Sequence, residues 1–388
     1  MKRKGQVERG QTLVIFVFAL IGLLGMLGLA VDGGTVLLER RRMQNASDAV
    51  ALAGTRELAE LTCDTTISAH DGDQYILVEV RKYARKNGVR DPNNNIVAEY
   101  LQFDGDNNIV PYSPEKLVGN SLSGGDGIPD GAAGISATAK IERSTHFVTL
   151  LGIHSAGASA PATAVTGPLA AGGGLRPFGV PIELVEDLDP DDPNNNDFSI
   201  SFKNDGGEIM WAGQTAQHRG WMNLGYAWNQ GEHDTFPRAV DENAGANDLQ
   251  EWMENGWQGT LYADCLWFGE NCGWGDYVHA KPGTNSSAIC DAPEAPTEII
   301  IPVYDYIPDC IEEPIPGHKP DCPTQGSSYA YHIIGFAGTL ITECSQGGGQ
   351  IDAELARLIM GKGEPSPNGG YGSGVCEQTA LTTVTLWE

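Results

Sequence analysis

One constraint dominates the sequence: in Leu13–Val31, nineteen consecutive residues carry no charge and no strongly polar side chain. As a helix this run spans about 28 Å, close to the hydrocarbon thickness of a bilayer. A core helix of a globular protein keeps a polar face, and this run has none. It is longer than the apolar part of a secretory signal and has no small-residue cleavage site at its end. It is therefore expected to be a signal-anchor helix that tethers everything after it to one side of a membrane. Lys2, Arg3, Lys4 and Arg9 against Glu8 leave the first ten residues at a net +3. The positive-inside rule keeps that end in the cytoplasm. Arg40–Arg42 work against this orientation, offset in part by Asp32 and Glu39. The long, cysteine-bearing remainder places the C-terminal part outside.

The helix is expected to continue past the membrane. After Asp32-Gly33-Gly34, the segment Thr35–Leu61 has no proline and is rich in Leu, Ala, Glu and Arg, all good helix formers. Val36, Met43 and Val50 recur every seven residues with Ala46 and Ala53 between them, which gives one apolar stripe. Within the membrane part, Ala19, Gly22, Gly25 and Gly28 form a ridge of small residues that lets another helix approach closely. The competing reading is that glycine is simply common in membrane helices.

The segment from Arg9 to Leu58 resembles the N-terminal region of TadG-like proteins of the Flp (Tad) pilus assembly system. The resemblance is carried by Arg9-Gly10, the apolar run, Val31-Asp32-x-Gly34, the arginine cluster, and Gln44-Asn45-Ala46-x-Asp48-Ala49-x-Ala51-Leu52-Ala53. A second block, Phe147-x-x-Leu150-Leu151-Gly152 followed by Ala158, Ala160, Ala162 and Ala164, is similar to the family's next segment. Ile299–Val303 and Tyr331–Ile341 look like strands of its outer domain. The resemblance implies a membrane-anchored pseudopilin or assembly component, not an enzyme. Its partners would be the lipid bilayer and other pilus-assembly or pilin subunits met through the N-terminal helix. It also raises a processing question at Gly10 and Gln11, because Arg9-Gly10 before an apolar run resembles the site cut by prepilin peptidases. Type IV pilins place Glu five residues after that cut, and here the position is Ile15. A buried Glu at that depth is costly unless paired, so its absence suits a protein that stays in the membrane.

The formal charge is −27, although the first ten residues are basic. Such a surface repels nucleic acid and anionic lipid, and nucleic acid is excluded as a partner. Of the eight cysteines, Cys63 stands alone and the rest lie between Cys265 and Cys376, with no C-x-x-C pair. That spacing supports neither a zinc ribbon nor a thioredoxin-like motif, and in an exported domain disulfides are the expected use. Cys265 with Cys272, and Cys310 with Cys322, are the local pairs to test first, the connectivity itself being open.

The expected fold is α+β. Residues 1–10 form a basic cytoplasmic end, 11–31 the membrane helix and 32–62 its extension outside. Residues 63–167 form a small pilin-like α+β module, with a helix at Asp73–Asn87 closed by Asn87-Gly88. It also holds an alternating strand over Ile135–Glu142, a turn over His146–Gly152, and an edge strand over Ala158–Ala164 that contains Pro161. The glycine- and proline-rich stretch 168–177 reads as a linker. Residues 178–388 read as a β-rich, disulfide-bearing extracytoplasmic domain with strands at Phe198–Phe202, Thr297–Val303, Tyr329–Ile341 and Thr379–Trp387, and a helix at Asn247–Asn255 capped by Asn247. Location is the inner membrane, single-pass, or a surface pilus.

No catalytic motif is present: there is no G-x-S-x-G, H-E-x-x-H or P-loop, and no cofactor is called for. Asp187, Asp189, Asp191 and Asp197 supply hard oxygens suited in kind to Ca²⁺, but without the glycine and closing Glu of an EF-hand. The plainer reading is a solvated acidic loop. Asp197-x-Ser199-x-Ser201 matches an adhesion-type metal motif, against which Phe198, Ile200 and Phe202 read as one face of a strand. All eight tryptophans lie between Trp211 and Trp387, as core or as an aromatic binding platform. The alternative function, a tethered surface-binding protein recognising calcium, glycan or a surface, rests on these last features.

Overall fold

The computed structural model describes residues 9–62, 64, 66–105, 108–202, 207–218, 221–229, 245–263, 276–281, 297–306, 330–345, 349–360, 364–365, 371 and 381–387. A single helix, α1 (Arg9–Thr62), runs for 54 residues, about 80 Å at the helical rise. Its first half is bare: Leu13 is 67% exposed, Phe18 70% and Met26 77%. From Met43 onward one face is covered, and Met43, Ala46, Val50, Ala51, Leu58 and Leu61 are buried. The apolar-run helix and its extension are thus one element with two different surroundings.

Helix α2 (Ala69–Lys86) starts on Ser68, whose hydroxyl accepts from the Asp71 N–H, a side-chain N-cap. It ends at Asn87, with Gly88 at a positive φ of 87° that a glycine adopts without strain. Three short helices follow at intervals: α3 (Pro92–Asn95), α4 (Ile182–Asp187) and α5 (Ala246–Asn255). The N-cap of α5 is Gly245, whose N–H donates to the Asp248 carboxylate in the first turn, and not Asn247.

In chain order the strands are β1 (Ile96–Phe103), β2 (Ile109–Pro111), β3 (Gly134–Ser144), β4 (Ser155–Gly172), β5 (Val180–Pro181), β6 (Asp197–Ser201), β7 (Gly207–Trp211), β8 (Gln214–His218) and β9 (Trp221–Asn229). They continue as β10 (Leu261–Tyr262), β11 (Asp276–Lys281), β12 (Thr297–Tyr306), β13 (Ala330–Ser345), β14 (Gln350–Leu355), β15 (Leu358–Met360), β16 (Glu364–Pro365) and β17 (Leu381–Trp387). The first sheet has the order β15-β17-β4-β3-β1-β2, with β10 and β16 also paired to β4. The second runs β5-β12-β13-β14-β6-β7-β8, with β11 joining β13 to β9.

Helices α1 and α2 lie on the first sheet. Between them Ile76, Val80, Tyr100, Ile135, Ala137, Ala139 and Ala164 are buried with the covered face of α1, each large side chain contributing about 1.5–3 kcal/mol of apolar burial. Small residues on both sides let helix and strand backbones come close. Ser47 in α1 accepts from the Ala139 N–H at 2.9 Å and donates to the Ala160 carbonyl at 2.6 Å. Those two residues face each other across β3 and β4. The second sheet holds its own core with α4 and α5, including Phe178, Phe198, Ile200, Phe202, Trp211 and Trp221. The Phe202 and Trp221 rings stack with centroids 4.6 Å apart.

One expectation holds in part and another is corrected. Strand β4 is an edge over 155–162, where among the described residues only β3 pairs with it, and Pro161 lies in that part; over 163–168 β17 pairs on its other side. The stretch 168–177 is no linker. It is strand to Gly172, after which Gly174 N bonds Trp257 O, Arg176 N bonds Ile300 O, and Leu175 is fully buried. Its glycines and prolines serve close packing between the sheets, where Leu169, Leu175, Met222, Leu261, Tyr331 and Phe336 form a third core cluster.

Candidate functional site

The β3–β4 hairpin lies along α1 and reaches toward its bare half. Thr55 bonds Ala164 O, Ser47 bonds Ala160 O, and Glu39 pairs with Arg143 at 3.0 Å, each contact nearer the hairpin tip than the last. At the tip, Asp32 takes over. Its carboxylate accepts the backbone N–H groups of His146 at 3.1 Å, Phe147 at 2.8 Å and Val148 at 2.8 Å. These are the free donors that open the 3₁₀ turn Val148–Leu151, which closes on Gly152 at a φ of 84°. The N–H bonds, led by that of Val148, hold the Asp32 carboxyl below its usual value. One turn earlier in α1, Gly28 leaves room for the Phe147 ring base; a Cβ there would sit 2.5 Å from Phe147 Cβ. A cleft of about 250 Å³ lies beside this junction, lined among others by Asp32, Val36, Glu39, Arg143 and His146.

The small-residue ridge is therefore divided. Ala19 is exposed, and nothing lies within 4 Å of a Cβ built on Gly22 or Gly25. Gly28 is occupied by the chain's own hairpin. Gly10 and Gln11 fall in the first turn of α1. Asp32 appeared in the sequence only as a boundary charge and a motif residue; its three partners lie more than a hundred residues on.

The acidic residues do not converge. Asp187 accepts from Trp211 Nε1 at 3.0 Å and from Gln214, Asp189 accepts from the Asp191 N–H, and Asp191 pairs with Arg357 at 2.6 Å. Asp197 is exposed at the head of β6, whose Phe198 and Ile200 are buried as a strand face. Among the described residues no three His, Cys, Asp or Glu side chains are placed to hold a metal ion. Trp211 and Trp221 are buried in the core. Cys344 in β13 is disulfide-bonded; Cys265, Cys272, Cys310 and Cys322 lie outside the described residues.

The arrangement defines a class: a protein carried on one long helix, bare and apolar in its first half and built into an antiparallel sheet in its second. Residues 10–57 match the family described as putative Flp pilus-assembly TadE/G-like. The matched stretch takes in the whole apolar run and most of the sheet-packed half, so the resemblance to TadG-like proteins of Flp pilus assembly holds over this segment. No curated protein and no solved structure matches the chain.

Proposed function

We propose that the chain is a stationary, non-enzymatic anchor component of Flp pilus assembly. The apolar half of α1 is held in the inner membrane, with the N-terminus in the cytoplasm and the two sheets beyond it. The observation that carries this reading is the family match over 10–57, which coincides with the element on which the first sheet is built. Ala19, Gly22 and Gly25 are the free small residues through which the helix of another assembly subunit would dock. Ile15, standing where a pilin carries Glu, favours an anchor over a processed filament subunit. Trp211 and Trp221 pack inward, and Asp187 and Asp191 are engaged by Trp211 and Arg357, which supports the anchor over the surface-binding alternative.

The test is the N-terminal residue of the native protein, read by mass spectrometry in membrane and sheared-filament fractions. A start at Met1 confined to membranes is expected. A start at Gln11 in filaments would replace the anchor with a cleaved pilin-like subunit.

A further inference from the structure

We propose that the hairpin tip Phe147–Ile153 is a second membrane contact, entering the boundary between headgroups and acyl chains beside α1. The proposal rests on the reading of Leu13–Val31 as the membrane-spanning segment, and deepens it.

Placement comes first. Phe147 packs against Gly28, three residues inside the end of the apolar run, which is about 4.5 Å along the helix axis. If that run lies in hydrocarbon, the tip is held at the same depth, since interfacial segments sit roughly 5–10 Å into the boundary. Composition agrees: Phe147-Val-Thr-Leu-Leu-Gly-Ile153 contains no charge, and Phe147 and Ile153 are 44% and 53% exposed. Large apolar side chains left bare next to a bare apolar helix make one continuous surface.

Backbone chemistry supplies an independent argument. A segment can enter lipid only if its polar groups are satisfied internally. The N–H groups of His146, Phe147 and Val148 bond Asp32, Gly152 N bonds Thr149 O, Ile153 N bonds Val148 O, and Thr145 N bonds His154 O. The hydroxyls are served as well: Thr149 donates to Thr145 O, and Thr145 to Ile153 O. The Asp32 charge is itself enclosed by those three N–H groups. The residues flanking the tip, Glu142, Arg143, His146 and His154, are polar and would fall at headgroup level. With helix and tip both in the membrane, α1 and the first sheet packed on it would be held together at a fixed tilt to the bilayer.

The test uses the full chain in phosphatidylethanolamine–phosphatidylglycerol vesicles, with the photocrosslinker p-benzoylphenylalanine placed singly at Ile153, Phe147, Leu24 and Val97. Leu24 lies in the apolar run; Val97, exposed on β1, is the distant control. Lipid adducts at Ile153 and Phe147 approaching the Leu24 yield, and several-fold above Val97, are the expected result. Lipid adducts at Leu24 with none at 147 and 153 would overturn the proposal while leaving the anchor intact. Adducts from 147 and 153 to a second copy of the chain would overturn it in favour of a protein contact. Absence of lipid adducts at Leu24 would remove the anchor reading and this proposal together.

Discussion

At Asp32 a single carboxylate decides how the hairpin tip meets α1. Asp32→Asn keeps the shape but removes the charge that three N–H groups share, and it leaves one acceptor oxygen in place of two. The expected outcome is faster proteolytic cleavage between Thr145 and His154 with the sheets unchanged. Unaltered cleavage would mean that Phe147 and Gly28 alone fix the tip. The acid response follows from the sign of the pKa shift. The folded value lies below the ordinary carboxylate value of about 3.9. The contribution of Asp32 is therefore fully present above that value and lost as the pH falls through the lower, folded one. Tip protection in the native protein should fall in that window, and the Asn variant should lack that component. Ser47 gives a second case. It is fully buried and serves both β3 and β4. Ser47→Ala leaves the Ala139 N–H and the Ala160 carbonyl short of their hydroxyl partner, a loss of about 1–3 kcal/mol, readable as a lowered denaturation midpoint. None of this was legible beforehand, because a helix residue's partners on a distant hairpin leave no trace in local pattern.

Element by element, periodicity reported helices well and missed how far β4 continues and what pairs with its second half. The apolar run, its extension, α2 with its Asn87-Gly88 end, and the alternation of β3 all follow from local rules that packing did not override. Strand β4 reads as an edge strand and then a linker because it is made largely of Ala, Gly, Ser, Thr and Pro. That composition has a different cause: β4 lies under α1, where Ala46, Ser47, Val50, Ala51 and Gly54 leave no room for larger residues. A matched pair of substitutions separates the two halves of α1. A Cβ at Gly54 would meet Ile135 Cδ1 at 2.9 Å and Val80 Cγ2 at 3.1 Å, whereas Gly22 has nothing within 4 Å. Gly54→Val should destabilise the folded unit by about 1–3 kcal/mol through overpacking. Gly22→Val should leave its melting unchanged and, under the proposed anchor role, weaken association with the helix of another assembly subunit. Equal melting losses from both would contradict the division of the helix into a bare and a sheet-packed half.

For the molecule as a whole, the decisive strand is β17. The chain leaves the first sheet at β4, builds the second, and returns so that β17 lies between β4 and β15. The register runs from Thr382 opposite Pro168 to Trp387 opposite Thr163. Two modules joined by a linker would be separable at 168–177, but a sheet whose strands come from both ends of that stretch is not. Sequence could not reveal this, because pairing between residues two hundred positions apart follows from topology and not from composition. Amides within 163–167 of β4 should therefore exchange slowly with solvent in the intact protein. Deleting 381–388 should strip that protection from the amides that point to β17, while Thr166, whose N–H bonds Ala133 O, keeps it; the deletion also lengthens the unpaired edge of β4, a ready template for aggregation. β1–β3 keep their own ladder and should retain slower exchange. Fast exchange of the β17-facing amides in the intact chain would contradict the β17 pairing and leave the two sheets separable. Slow exchange lost on deletion would mean that the outer part of the molecule cannot be detached from the helix that carries it, so a load on the second sheet passes through β4 to α1.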